Sequence, residues 1–346
     1  MFNKKSLIYL FFTAITALII VLLVGYWYLD RFSKTIIYTK SPDQIFTLKR
    51  GTSVYQLSQQ MAQELTLENA NLVPYFVRLT PSLQHIKAGS YQLPDSLTVQ
   101  EFLQLLNHGK EVQFAVKFIE GKQAQNYLDQ LDLTSNIHSE LIGKSTNEIA
   151  QQLGLDMPLE GWLYPDTYYY ANNTTDLMLL KRAYQRMKIT LDEIWQNRDA
   201  ELPYHSPYEL LIMASIIEKE TSVDNERGKV ASVFVNRLKY KMRLQTDPTV
   251  IYGMGTTYQG KLTKANLNDK NNIYNTYVIN GLPPTPIASP SLASLKAAAH
   301  PDKTHYLYFV ADGYGGHVFS KNYKDHSVAV QQYWKLVRER QNKQKF

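Results

Sequence analysis

Two glutamates that follow a long apolar run are the residues best placed to do acid–base chemistry. The run, residues 210–217, is apolar on almost every side of a helix and predicts a buried one, with Glu218 and Glu220 at its C-terminal end. Burial and the negative end of the helix dipole both raise the pKa of a carboxyl group. A carboxyl group that keeps its proton near neutral pH is what a general acid requires.

Residue chemistry alone leaves the role of this pair open and slightly favours a structural one. Residues two apart point to nearly opposite sides of a helix, so Glu218 and Glu220 are not expected to share a role. Charged side chains are common at helix ends, and a glutamate paired with Lys219 or Arg227 would explain the pattern equally well.

Four further clusters are rich in groups that hydrogen-bond sugars. They span residues 160–168, 236–238, 243–248 and 274–277, and their candidate substrate-binding residues are Asn236, Gln245, Asp247, Tyr274, Asn275 and Tyr277. Stacked aromatic rings beside polar groups can hold a pyranose ring, but an aromatic turn within a core interface has the same composition. Asp247 stands before Pro248, so it is equally well interpreted as the N-cap of a helix.

Several other kinds of chemistry have little support in the sequence. The chain of 346 residues contains no cysteine, which removes disulfides, thiolate metal sites and thiol nucleophiles. Its histidines form no His-x-x-x-His pair, so we predict no metal site and no cofactor. A Gly-x-Ser-x-Gly elbow is also missing. The net charge of +6 is not concentrated in one run, and we predict no nucleic-acid partner.

The N-terminal segment predicts a membrane anchor. Residues 7–29 contain no charge and are long enough as a helix to cross ~30 Å of hydrocarbon. Lys4 and Lys5 precede the segment within a short tail, residues 1–6, but Arg31, Lys34 and Lys40 follow it, so the charges leave its orientation open. Tyr26, Trp27 and Tyr28 fit an interfacial aromatic belt. A cleaved signal peptide is the alternative, but its apolar region would be shorter and end in small residues.

The remaining chain predicts an α+β protein with two parts. After a linker at residues 30–44, residues 45–110 follow a strand–helix–helix–strand order similar to LysM carbohydrate-binding modules, although a plain spacer domain fits the same order. A connecting region then covers residues 111–158. A larger mixed α+β domain at residues 159–346 contains the candidate glutamates and polar clusters.

Several motifs in the same order carry a family resemblance. They are Glu160-Gly161-Trp162 with Pro165-Asp166-Thr167, the segment Ala214-Ser215-Ile216-Ile217-Glu218-Lys219-Glu220-Thr221, Val235-Asn236-Arg237-Leu238, Leu244-Gln245-Thr246-Asp247-Pro248-Thr249-Val250-Ile251-Tyr252, Tyr274-Asn275-Thr276-Tyr277 with Gly281-Leu282-Pro283-Pro284, and His317 with Phe319. With them the chain resembles the endolytic murein transglycosylases, the MltG (YceG-like) family, over essentially its whole length.

The resemblance implies a single-pass protein of the bacterial inner membrane with a periplasmic LysM-like module and a catalytic domain. It implies cleavage of the bond between N-acetylmuramic acid and N-acetylglucosamine inside nascent peptidoglycan strands, which leaves 1,6-anhydro ends and limits strand length. Coupling to peptidoglycan synthases is also implied.

The essential glutamate of the family falls on Glu220, with Glu218 as the fallback. Asn236, Gln245, Asn275 and Tyr277, with Tyr274, would position the sugar, while Asp247 would stabilise charge or cap a helix. The role of His317 stays open between a groove residue and a structural turn histidine. A glycan-binding scaffold and an ordinary muramidase-type hydrolase remain as alternatives.

Overall fold

The computed structural model of the chain describes residues 4–172 and 174–343, which divide into two compact units. The first unit contains residues 4–114 and 170–172, and the second contains residues 115–169 and 174–343. Residues 1–3 of the predicted tail and residues 344–346 of the predicted larger domain lie outside the described part. The fold is mixed α+β and has one long apolar helix at its N-terminus, as the sequence predicts.

The first unit begins with that apolar helix, α1 (Lys4–Ser33). Among the described residues it is the one helix long and apolar enough to cross a membrane, and its side chains from Ile8 to Tyr26 are exposed. Its last turn differs, because Phe32 and Ser33 are buried in the unit. Strand β1 (Ile36–Tyr38) follows after a tight turn and pairs antiparallel with β4 (Ser96–Thr98).

The rest of the first unit has the strand–helix–helix–strand order predicted for residues 45–110. The order is β2 (Ile45–Leu48), α2 (Val54–Glu64), α3 (Val73–Leu79) and β3 (Gly89–Gln92), and β2 pairs antiparallel with β3. Helix α4 (Val99–His108) closes the unit. Thr98 caps it, and the hydroxyl of Thr98 accepts a hydrogen bond from the backbone N–H of Glu101. Phe46 and Phe102 meet edge to face in the core, with ring centroids 4.9 Å apart.

The predicted linker at residues 30–44 is partly wrong. Phe32 and Ile37 belong to the hydrophobic core of the first unit, and the backbone N–H of Val99 donates to the carbonyl of Thr35. The physical reason is that the apolar side chains of Phe32 and Ile37 are stabilised by burial, and packing against α4 and β4 provides it. Residues 111–158 also do not form a separate connecting region, because the chain from residue 115 packs within the second unit.

The second unit begins with short strands and helices. They are β5 (Phe114–Lys117), α5 (Ala124–Asp132), β6 (Ile137–His138), α6 (Thr146–Gln152), β7 (Thr167–Tyr170) and β8 (Thr174–Thr175). Strand β5 pairs with β7, and β6 runs parallel to β8. The buried carboxylate of Asp176 accepts hydrogen bonds from the backbone N–H groups of Glu140 and Leu141, so these strands are tied to the following helix.

The remaining helices surround a buried central helix. The elements are α7 (Asp176–Gln196), α8 (Pro207–Glu220), α9 (Arg227–Lys239), α10 (Asp247–Met254), α11 (Lys264–Leu267), α12 (Leu292–Ala299), β9 (Tyr308–Ala311), β10 (His317–Ser320) and α13 (Tyr323–Lys343). Helix α8 contacts α7, α9, α10 and α12. All eight residues from Leu210 to Ile217 are buried, which confirms the predicted buried helix. Its C-terminal end therefore presents Glu218 and Glu220 within a packed setting.

Candidate active site

The two glutamates at the end of α8 contact different elements, as their spacing of two residues predicts. Glu218 faces α12, where its Oε2 atom accepts three hydrogen bonds: from the backbone N–H of Ser291 at 2.9 Å, and from the hydroxyls of Ser291 at 2.5 Å and Ser294 at 2.7 Å. A carboxylate at the N-terminus of α12 is favoured by unpaired N–H groups and by the helix dipole. These contacts give Glu218 a structural role in joining α8 to α12.

Glu220 lies on another side of α8 and contacts the segment before α10. Its Oε1 atom accepts a hydrogen bond from the hydroxyl of Thr246. The residue as a whole keeps some solvent access, but its carboxyl group is buried among protein groups. This burial is the largest cause that raises the pKa of Glu220 above its ordinary value. The nearby charge of Asp247 raises it further, whereas the Thr246 hydrogen bond, His317 and Arg237 lower it.

A buried arginine supplies a fixed positive charge to this site. Arg237 on α9 is 8% exposed, and its Nε and Nη1 atoms donate to the carbonyls of Leu307 at 2.7 Å and Leu244 at 2.8 Å. The guanidinium also lies over the ring of Tyr308, 5.1 Å from its centroid. With these contacts Arg237 joins α9 to the chain on both sides of the site, and its charge favours an ionised Glu220.

Asp247 and Tyr277 come together beside Glu220. The hydroxyl of Tyr277 donates to Oδ1 of Asp247 at 2.6 Å. Asp247 is exposed and is the first residue of α10, while Thr246 holds the N-cap position, so the interpretation of Asp247 as an N-cap is wrong. The reason is that Thr246, rather than Asp247, has the extended backbone of a cap residue. The carboxylate of Asp247 is therefore available to a ligand beside Glu220.

The segments that carry Thr246 and Tyr277 are held together by hydrogen bonds to the carbonyl and the hydroxyl of Thr276. The N–H of Gln245 donates to the carbonyl of Thr276 at 3.1 Å, and the N–H of Thr246 donates to the Thr276 hydroxyl at 3.0 Å. Gln245 itself is exposed and has a φ of 50°, a left-handed backbone that a residue other than glycine seldom adopts. Such strain persists where the surroundings enforce it. The Oε1 atom of Gln245 accepts a hydrogen bond from Nη1 of Arg237 at 3.5 Å, so its side chain also contacts the buried guanidinium.

Two predicted sugar ligands are instead used inside the protein. The Asn275 side chain is fully buried, donates from Nδ2 to the carbonyls of Asn266, Leu267 and Asp269, and accepts at Oδ1 from the N–H of Tyr277 at 3.0 Å. The Asn236 amide donates to the carbonyls of Thr304 and Tyr306, each at 3.0 Å. Both amides therefore stabilise the backbone around the site through hydrogen bonds to its carbonyls.

Tyr274 belongs to a second cluster around Glu160. Its hydroxyl hydrogen-bonds with that of Thr285 at 2.9 Å, and its ring meets Tyr252 edge to face at 4.8 Å. Tyr252 in turn donates to Glu160 at 3.3 Å. Glu160 is 8% exposed, and burial raises its pKa to about 7. Trp162 is also buried, so this region is a core interface, which was the alternative to a sugar-binding surface.

Sequence reasoning gave no individual role to Thr246, Arg237 and Glu160, although all three lie in the predicted polar clusters, and it did not consider Glu226. Arg237 could have been recognised because it is a charged residue at a position where the apolar repeat of its helix predicts a buried side chain. Thr246 and Glu226 carried no comparable signal, because their partners lie 26 and 91 residues away along the chain.

Comparison with known proteins decides the family. The sequence model of the YceG-like family matches residues 46–332, which include every residue of the candidate site. The chain belongs to the YceG-like family. This YceG-like chain is also similar to a yceG-like protein from Listeria monocytogenes with a 2.6 Å crystal structure. That comparison has 27% sequence identity, a TM-score of 0.50, and coverage of 82% of this chain and 97% of the other.

Two relatives of this YceG-like chain carry a functional name. It is 36% identical over 251 residues to a Bacillus subtilis protein named endolytic murein transglycosylase. The aligned region covers 72% of this chain and 68% of the relative. It is 30% identical over 312 residues to a protein of the same name from Streptococcus pneumoniae serotype 2, which covers 77% of this chain. The chain spans about half the length, 55%, of that pneumococcal relative.

Proposed function

We propose that the chain is an endolytic murein transglycosylase in which Glu220 is the catalytic acid. The observation that carries the proposal is the buried Glu220 carboxyl group, whose pKa is raised by its surroundings and which accepts a hydrogen bond from Thr246. Two relatives bear the name of this activity. Glu218 is a weaker candidate, because three hydrogen bonds from α12 already occupy one of its oxygens.

The proposed reaction uses one carboxyl group twice. Protonated Glu220 donates its proton to the glycosidic oxygen between N-acetylmuramic acid and N-acetylglucosamine, and the bond from that oxygen to the anomeric carbon breaks. The muramic acid ring passes through an oxocarbenium-like state. The Glu220 carboxylate then takes the proton from the C6 hydroxyl of the same ring, and the C6 oxygen bonds to the anomeric carbon. The product is a 1,6-anhydro end, and no water is consumed.

The neighbouring groups suit such a cycle. The exposed carboxylate of Asp247, held by Tyr277, would stabilise positive charge on the sugar. Arg237 would stabilise the Glu220 carboxylate after it has given up its proton. We propose Gln245 and Tyr277 as residues that touch the sugar, and Asn236, Asn275 and Tyr274 as residues that position the loops around it.

Product analysis tests this function against its alternatives. The purified chain is incubated with isolated glycan strands, and the new ends are identified by mass spectrometry. We expect ends that are lighter by one water than reducing ends. Reducing ends would instead assign an ordinary hydrolase, in which Glu220 and Asp247 act as a carboxylate pair. Intact strands with measurable binding would assign a glycan-binding scaffold.

The first unit is proposed as a LysM-like module that contacts the glycan. A cavity of about 230 Å³ lies between the turn after β2 and the segment before β3, and it is lined by Arg50, Gly51, Thr52, Gln84 and Ala88 among others. Hydrogen exchange of the full chain carrying Glu220→Gln provides the test. Added glycan strands should protect residues 49–52 and 84–88. Equal exchange with and without strands would leave a spacer domain as the better assignment.

We further propose that α1 is retained as an inner-membrane anchor and that the second unit lies in the periplasm. The buried Phe32 and Ser33 support retention, because they make the end of α1 part of the first unit's fold. Mass measurement of the chain from cell membranes should give the full sequence mass, and a mass lacking α1 would indicate a cleaved signal. Protease added outside the inner membrane should digest the second unit, whereas protection would contradict this orientation.

By family resemblance, we propose that cleavage occurs within nascent strands beside peptidoglycan synthases and limits strand length. In-cell crosslinking of the full chain should recover a synthase. Glycan strands from cells that carry Glu220→Gln should be longer than those from cells with the wild-type chain. Strands of unchanged length would contradict a role in limiting them.

A further inference from the structure

A histidine and a glutamate that the proposed reaction does not use form a tight pair near Glu220. The Nδ1 atom of His317 lies 2.7 Å from Oε2 of Glu226, and the backbone N–H of His317 donates to Oε1 of Glu226 at 3.0 Å. Both side chains are largely buried, 17% and 13% exposed. An ionised carboxylate accepts hydrogen bonds only, so the Glu226 carboxylate holds a proton on Nδ1 and fixes the orientation of the ring.

The turn before His317 is shaped to admit Glu226. A Cβ atom at Gly316 would lie 2.8 Å from Oε1 of Glu226, so the Glu226 carboxylate would have to move, and it would make a tight contact of 3.0 Å with Oδ2 of Asp312. Asp312 stabilises the same turn, since its Oδ1 accepts from the N–H groups of Tyr314 at 2.6 Å and Gly316 at 3.0 Å. Glycine at this position therefore leaves room for Glu226 to bind His317 at two atoms.

The charged groups that influence Glu220 come from three elements, α9, α10 and β10. Asp247 on α10 contributes negative charge, Arg237 on α9 contributes a permanent positive charge, and the Tyr277 phenol and the His317 imidazole are also close enough to influence its ionisation. His317 itself is near Glu226 and Asp312. Arg237 already donates to the carbonyls of Leu307 and Leu244, so its guanidinium is held by backbone contacts of its own.

We propose that Glu226 and His317 form a positioning pair that holds a cationic imidazole beside Glu220 and stabilises the carboxylate left after the first proton transfer. The inference rests on the proposed function for its role in the reaction cycle. Its physical basis is that burial and Asp247 both oppose ionisation of Glu220, and a cation held at a fixed place offsets them. His317 is consistent with this role, because its charge lowers the pKa of Glu220.

The test measures the ionisation of Glu220 directly, without relying on turnover. The full chain is labelled with ¹³C at the glutamate carboxyl carbons, and the Glu220 resonance is the one missing from the Glu220→Gln spectrum. In His317→Gln the titration midpoint of this resonance should rise by about half to one pH unit, because a stabilising cation is lost. Cleavage of glycan strands should show kcat lowered several-fold with little change in KM. A merely structural histidine would leave the midpoint in place.

Two further variants keep the test decisive. Gly316→Ala, which forces Glu226 away from His317, should also raise the midpoint, even if His317→Gln folds poorly. The matched control is His300→Gln, because His300 Nδ1 lies 2.7 Å from Oδ1 of Asp199 in the same unit and is not among the groups that influence Glu220. An unmoved midpoint in both His317→Gln and Gly316→Ala, or an equal rise in His300→Gln, would overturn the proposal. Cleavage by Glu220→Gln would overturn the proposed function instead.

Discussion

The hydroxyl of Thr246 donates to the carboxyl group of Glu220, although Thr246 occupies the N-cap position of α10. A threonine at this position ordinarily turns its oxygen to the first N–H groups of its own helix, and this one makes no such bond. The hydroxyl is therefore used by α8, 26 residues earlier in the chain. Since the bond favours the ionised carboxyl group, it lowers the pKa of Glu220.

Replacement of Thr246 by valine should shift the pH profile of cleavage to higher pH. The hydrogen bond lowers the pKa of Glu220, so its loss raises that pKa and keeps the acid protonated to higher pH. We expect the alkaline limb of kcat/KM to shift up, and kcat/KM near neutral pH to fall about tenfold from the loss of one charge-assisted hydrogen bond. Thr257→Val, at an exposed turn after α10, is the control. Identical profiles for the two variants would contradict the role of Thr246.

Replacement of Asp247 by asparagine should shift the same limb in the opposite direction. The negative charge of Asp247 raises the pKa of Glu220, so its removal lets Glu220 ionise at lower pH. The alkaline limb should move down by about half a pH unit, with a fall in kcat if Asp247 also stabilises the sugar cation. The pH profile of kcat/KM provides the measurement, with the exposed Asp192→Asn on α7 as control. An upward shift would show that Asp247 does not act on Glu220 through its charge.

The buried Glu160 should make the fold less stable as pH rises. Burial raises its pKa from 4.5 to about 7, so between these values the native chain binds a proton that the unfolded chain has released. The free energy of unfolding therefore falls as pH rises through this window, by up to about 3 kcal/mol. Denaturant unfolding at pH 5 and pH 8 should show a smaller fall in Glu160→Gln than in the wild-type chain. Equal falls would mean that Glu160 is ionised throughout.

Replacement of Asn275 by alanine should lower the free energy of unfolding. Its buried amide donates to three backbone carbonyls, and these hydrogen bonds would be lost in the variant. We expect a loss of about 2–4 kcal/mol in the free energy of unfolding, measured with denaturant. The exposed Asn271→Ala, in the same loop, should change it by less than about 0.5 kcal/mol. A stable Asn275→Ala chain with a raised KM would return Asn275 to the role of sugar ligand.

The sequence predicts local features of this protein well. Apolar periodicity placed the buried helix at residues 210–217, and the strand–helix–helix–strand order of residues 45–110 was also predicted. These features depend on side chains within a few residues of each other. Partners distant in the chain were not predictable, because periodicity does not say which elements meet. The contacts of Glu218 with Ser291, of Glu220 with Thr246 and of Glu226 with His317 are of this kind.

The same limit explains the residues whose roles differ from expectation. Asn275 and Asn236 have the side chains of sugar ligands, but their amides bind backbone carbonyls that the fold brings to them. Tyr274 is three residues from Tyr277 and contacts Tyr252 and Thr285 instead of Asp247. Residue type indicated a polar region correctly. Which residues can contact a ligand and which stabilise the backbone depends on the direction of each side chain.

The most direct test compares Glu220→Gln with Glu218→Gln in cleavage of isolated glycan strands. Both variants lose one ionisable carboxyl group at the end of α8, and circular dichroism and unfolding establish that each is folded. We predict that Glu220→Gln loses at least about a hundredfold in kcat, as expected for removal of a general acid, and that Glu218→Gln keeps most of its activity with reduced stability. Full cleavage by Glu220→Gln together with loss in Glu218→Gln would contradict the account.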